Sequence, residues 1–150
     1  MSSPILWSLV LTLHVLCVAF WVGGGAFAAL ITRSSLTLLD QAQRQSVQLQ
    51  YLNRYFRGLW HVVPLALISG WLLIIHMGGF ANVIWPINAM QLLAILMAFV
   101  FLNAFYGPFK AARRAIRPQP AMFNAVRLRI VTMVALGVLA ILCGALGSGI

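Results

Sequence analysis

Apolar residues run almost unbroken through four stretches of the chain, about residues 5–31, 59–77, 83–105 and 130–146, and polar residues collect between them. A helix needs roughly 20 apolar residues to cross a bilayer, and all four stretches approach or exceed that length. The pattern predicts an all-α membrane protein: one domain over residues 1–150, folded as a four-transmembrane-helix antiparallel bundle. Within the first stretch, Ala26-Phe27-Ala28 mimics a leader cleavage site. Its preceding "MSSP" has no basic residue and the run is too long for a signal peptide, so it reads as a retained span. Ahead of the second span, "DQAQRQSVQLQYLNRYFR" (40–57) places Val47, Tyr51, Leu52 and Tyr55 at helical spacing, which predicts an interfacial amphipathic helix. "RPQPAMF" (117–123) reads as a proline-broken turn, and no internal repeat or second domain is visible.

Composition sharpens this picture. Hydrophobic residues make up 63% of the chain and charged residues 7%, against about a quarter charged in soluble domains. So little polar surface cannot cover a globule in water, and the bilayer is the solvent. Asp40 is the single acid, which excludes paired-carboxylate catalysis and oxygen-rich calcium or magnesium cages. The net charge of +9 comes from ten basic residues in two places. Arg33, Arg44, Arg54 and Arg57 flank the first long loop; Lys110, Arg113, Arg114, Arg117, Arg127 and Arg129 flank the last. By the positive-inside rule, loops 33–57 and 110–129 are cytoplasmic and both termini lie outside. The charge therefore reflects topology and lipid-headgroup contact, with no nucleic acid as partner. Cys17 and Cys143 lie in apolar runs with no CxxC, and read as small hydrophobic fillers.

Polar side chains inside a span are costly, so each is a candidate for function. Depth along each span puts His14 about 7 Å on the outer side of the midplane with Gln91 level with it. His76 and Asn88 fall further out. On the inner side, His61 and Asn103 lie roughly 10 Å from the midplane, with Arg57 and Arg129 nearer the cytoplasm. His14, Trp21, Gly25 and Ala28 share one face of span one. His61 and His76, fifteen residues apart, differ in direction by about 60° and could both face the interior. Gly24 with Ala28, and the stripe Gly137, Ala140, Gly144 and Gly147, permit close helix packing or leave a slot for a flat ligand.

Imidazole suits haem iron, copper and zinc, but no spacing here gathers the four ligands of a structural zinc site. Haem b needs only one or two histidines on facing helices and an apolar slot. His14 with His76 is the natural axial pair on the outer side, while a haem at His61 would find Arg54, Arg57, Arg127 or Arg129 for its propionates. Trp21 and Gly25 would supply the wall and floor of the slot, and Gln91 would orient an imidazole. With copper instead of haem, His14, His76 and Met77 would form an outward-facing site.

"LHVLCVAFWVGGGAF" resembles the first span of the copper-resistance D (CopD) family, in its Leu13-His14 pair and its Trp21-Val22-Gly23-Gly24. "YLNRYFRGLWHVVPLALISGWLLI" is similar to that family's second span through Arg54, Phe56 and Gly70, and "KAARR" to its basic exit from span three. The same four-helix core resembles HemJ-type protoporphyrinogen oxidases, which implies His14 as a haem ligand. The lysine that pattern places within span three is missing before Lys110, so the resemblance carries haem binding further than oxidase activity. What the resemblance implies is a bacterial inner-membrane protein. It would bind haem b and either pass electrons, to a redox partner or quinone, or handle porphyrin. The competing expectations are a copper transport or copper-resistance protein, and an accessory subunit of a homo- or hetero-oligomeric membrane complex.

Overall fold

The computed structural model describes residues 3–117 and 119–149. Four long helical rods account for nearly all of it, and no strand occurs among the described residues. The first rod is α1 (Pro4–Ala26), a π turn (Phe27–Ile31) and α2 (Thr32–Leu36). It starts where the Ser3 hydroxyl accepts from Ile5 N at 3.3 Å, with Pro4 preset for the first turn. The second rod is α3 (Gln41–His76), capped by Asp40, whose carboxylate accepts from Gln43 N at 2.8 Å. It stops at Gly78 and Gly79, whose φ values of +105° and +95° few other residues adopt, and whose N–H groups bond back to Ile75 and Ile74. The third rod joins α4 (Trp85–Ala104), a π turn (Phe105–Phe109) and α5 (Lys110–Arg114); the fourth is α6 (Pro120–Gly147).

All four rods are long and apolar enough to span a membrane. They also run past the apolar stretches that announce them: Pro4–Leu36, Gln41–His76, Trp85–Arg114 and Pro120–Gly147. At 1.5 Å per residue the 36-residue α3 is ~54 Å long, well beyond a hydrocarbon core of ~30 Å. The segment 40–57, expected as an interfacial helix leading into span two, is capped by Asp40 and helical from Gln41, and it continues into the apolar part without a break. In the third rod, Pro108 lacks an N–H and its ring would collide with the carbonyl of Ala104 in a regular helix. The wider π turn absorbs it, with Gly107 leaving helical geometry at ψ −108°.

Side-chain pairings fix the antiparallel arrangement. Residues 7, 14 and 25 of α1 meet 76, 66 and 55 of α3. In α4, residues 87, 90 and 97 meet 147, 144 and 137 of α6. α1 also packs on α6, so the order around the bundle is α3, α1, α6, α4, and α3 touches α4 only lightly. The two halves of the bundle differ. At the end bearing the arginines, Phe56, Phe101, Phe105 and Phe109 pack with Trp60 into a solid aromatic plug. Toward the other end the interior is hollow.

Candidate functional site

The hollow is a cavity of about 580 Å³ bounded by all four rods, from Trp21 and Met97 at its floor to Met77, Gly147 and Ser148 at its mouth. That volume lies within the ~300–1,000 Å³ typical of small-molecule and cofactor sites. Its lining is almost entirely apolar, with His14, Gln91 and His76 as the main polar side chains.

His14 projects from α1 toward α3. Its Nδ1–H donates to the Ala66 carbonyl at 3.1 Å and to Ser69 Oγ at 3.0 Å. The tautomer follows from the neighbours. Ser69 gives its own hydroxyl proton to the Leu65 carbonyl at 2.6 Å, so both groups facing Nδ1 are acceptors. Nδ1 must carry the proton, which leaves the lone pair on Nε2. No described residue bonds Nε2, and the ring lines the cavity. A backbone carbonyl holding Nδ1–H is the support that orients a ligating imidazole.

Gly70 makes this approach possible. A Cβ there would lie 3.0 Å from His14 Cε1 and 2.8 Å from Gln91 Nε2, so the two side chains share the space above one bare backbone position. Gln91 is only 6% exposed, and its Oε1 is buried with no partner. Expected from sequence to orient the imidazole, it instead makes no hydrogen bond to His14 and presents an unsatisfied amide oxygen beside it. Buried amides are nearly always bonded. Trp7 Nε1 and Asn88 Oδ1 are likewise buried without partners, and all three lie in the hollow half.

Trp21, expected in the wall, lies at the floor of the cavity; its Nε1–H donates to Met133 Sδ at 3.0 Å, and its carbonyl accepts from Tyr55 OH at 2.6 Å. Gly25 is not the floor. A Cβ there would meet Tyr55 OH at 2.8 Å and Val134 Cγ2 at 2.9 Å, so its role is helix packing below the cavity. His76 lines the mouth but stacks on Trp7, with ring centroids 3.8 Å apart. It follows Ala66 by ten residues and Ser69 by seven on the same helix, which puts its backbone ~10 Å or more of helix rise nearer the mouth than the groups that hold His14. His14 and His76 thus line one chamber at different levels, His14 deeper and tied to α3, His76 at the mouth with Met77 and stacked on Trp7.

His61 is exposed on the outside of α3 and lines none of the cavity. Arg57 is exposed at the basic end. Arg129 donates to Asn103 Oδ1 at 2.5 Å and to the Ala125 carbonyl at 3.1 Å, also away from the cavity. Among the described residues no three of His, Cys, Asp and Glu come together around a metal point. Cys17 and Cys143 are free thiols, Cys17 buried. The α6 stripe does both: Gly137, Ala140, Gly144 and Gly147 line the chamber, and a Cβ at Gly137, Gly144 or Gly147 would meet Val22, Met90 or Ile87 respectively.

Haem b fits the donor set in part. One imidazole has its outer nitrogen free beside an apolar chamber, and thioether and amide groups (Met90, Gln91 and Met97) stand on the α4 side. No arginine lines the chamber, so propionates would have to leave through the mouth at Ser148. A copper cage fits less well, because its ligands are dispersed. Ser69 and the Ala66 carbonyl, which orient His14, were not singled out by depth sorting. The only sequence signal for them is a Ser-Gly pair deep in an apolar run. Against protein-family models, curated proteins and solved structures, the chain has no match.

Proposed function

We propose that the protein is a membrane-embedded haem b carrier in which His14 is the axial ligand from the chain's only deeply placed imidazole. The observation that carries this reading is the His14 geometry: Nδ1–H tied to α3, Nε2 unbonded, and a 580 Å³ apolar chamber beside it. The partial resemblance to CopD and HemJ-type proteins points the same way. Bound haem would supply a one-electron couple. The chain's own contribution is then clear. Ala66 and Ser69 hold the imidazole, Gly70 gives it room, Trp21 closes the floor, and the aromatic plug keeps water from entering at the basic end. Gln91 offers an amide within the chamber that a bound group can satisfy. His76 and Trp7 sit at the mouth, where a redox partner or quinone would arrive. With the arginine-bearing end in the cytoplasm, that mouth faces the outer side of a bacterial inner membrane, and both chain ends lie there too.

The test is an absorption spectrum of the purified full chain, before and after addition of hemin, with metal analysis on the same sample. A Soret band that His14→Ala abolishes, and that His61→Ala and His76→Ala leave in place, is the expected result. A chain that never takes up porphyrin overturns the reading. Stoichiometric copper in that sample would indicate copper transport, and no metal at all an accessory subunit.

A further inference from the structure

A second cavity, also about 580 Å³, opens at the opposite, basic end, where the π turn after α1 meets the starts of α3 and α6. Its chemistry is the reverse of the first. Arg33, Arg44 and Arg127 line it together with the amides of Gln45, Gln48 and Asn124. Two of the guanidiniums are positioned by backbone. Arg44 donates from Nε to Leu36 O at 3.0 Å and from Nη2 to Leu39 O at 3.2 Å, which ties the turn between α2 and α3. Arg127 donates from Nε to Ala29 O, inside the π turn, at 2.8 Å. Its two Nη groups bond no described residue, and neither does the Arg33 guanidinium.

Three cations facing one half-open cavity repel each other unless a counter-charge is present. The chain provides at most one nearby, because Asp40 is its only acidic side chain; its carboxylate caps α3 beside the lining residue Gln41 and leaves the cluster with an excess of positive charge. The start of α6, which has no side-chain cap, adds further positive potential at the same place. Guanidinium forks beside amide donors match the planar and tetrahedral oxyanions. We propose that this cavity binds a phosphate group, held by Arg33 and the Nη groups of Arg127, with the amides completing the donor set. Two sources present that chemistry at a membrane surface: the headgroup of an anionic phospholipid, and a soluble phosphate. The site is separate from the His14 chamber and stands whether or not haem binds there.

The experiment uses the full chain, either in neutral detergent with added inorganic phosphate or pyrophosphate, or in phosphatidylcholine bilayers with and without phosphatidylglycerol. Retained lipid is read by native mass spectrometry and stabilisation by thermal unfolding. Arg33→Gln and Arg127→Gln are each expected to weaken binding about tenfold, the loss of one charged hydrogen-bond partner. Arg117→Gln removes the same charge from an exposed turn outside the cavity and should leave binding unchanged. Stabilisation confined to phosphatidylglycerol bilayers identifies the lipid headgroup; stabilisation by inorganic phosphate in detergent identifies the soluble source. Arg33 makes no side-chain bond that folding needs, so R33Q carries the test if R127Q loses its hold on the π turn. Equal weakening by R117Q, or no stabilisation by either source, overturns the proposal.

Discussion

At the scale of single residues, the chamber depends on what surrounds one imidazole. Gly70→Ala adds a methyl group where the nearest atoms stand at 2.8 and 3.0 Å. Alanine favours a helix over glycine by about 1 kcal/mol, whereas forcing a methyl group into contacts this close costs about 1–3 kcal/mol. The second effect wins here, since His14 is held by two bonds and must tilt out of position. Gly70→Ala should keep its helical circular dichroism yet bind hemin several-fold more weakly; wild-type affinity would show that the ring yields freely. Ser69→Ala is milder. The Ala66 carbonyl still holds Nδ1–H, so hemin affinity should change by less than about tenfold, the value of one ordinary hydrogen bond. Losing an acceptor on Nδ1–H makes the imidazole a poorer donor to iron. The midpoint potential of the Ser69→Ala haem protein should therefore rise, and a redox titration that shows it falling would contradict the tautomer assigned here.

At the scale of elements, packing through glycines makes a prediction with no spectral component. A Cβ on Gly25 would lie 2.8 Å from Tyr55 OH and 2.9 Å from Val134 Cγ2, between three helices. Gly25→Ala should destabilise the bundle by about 1–3 kcal/mol, seen as a lower unfolding midpoint, while the Soret band of the folded fraction stays where it is. A shifted band would put Gly25 at the chamber after all. The four rods were legible in the sequence because lipid demands long apolar runs, and such runs leave little ambiguity. Their ends were less legible. Hydropathy falls at the first arginine, but the helices continue, so α3 absorbs the segment read as an interfacial helix and π turns carry the first and third rods beyond their apolar cores. Direction was the least legible feature. His61 and His76 differ by only about 60° around one helix, which suffices to put one outside the bundle and the other at the chamber mouth. When almost every residue is apolar, the pattern does not mark which face meets lipid and which meets a cavity. His14 stood out by depth alone, whereas Ser69 and Gly70, which aim it, carry no charge and sit in an unremarkable run.

At the scale of the whole molecule, the asymmetry between the two ends predicts an orientation. All ten basic residues lie in or beside the segments that join α2 to α3 and α5 to α6, and the connection between α3 and α4 has none. Lys and Arg in short loops are retained on the cytoplasmic side during insertion, so the turn around residue 81 should face outward and both basic segments inward. Cysteine labelling tests this directly, once Cys17 and Cys143 have been replaced by alanine. Ala81, Ala42 and Ile116 are all exposed, which makes each a suitable position for a single reporter. In intact bacterial cells, Ala81→Cys should react with a membrane-impermeant maleimide, whereas Ala42→Cys and Ile116→Cys should react only after permeabilisation. The reverse pattern would turn the molecule over and place the mouth of the His14 chamber on the cytoplasmic side. It would also bring the arginine-lined cavity to the outer surface, away from soluble cytoplasmic phosphates. One labelling pattern thus decides which compartment each of the two chemically opposite cavities can draw its ligand from.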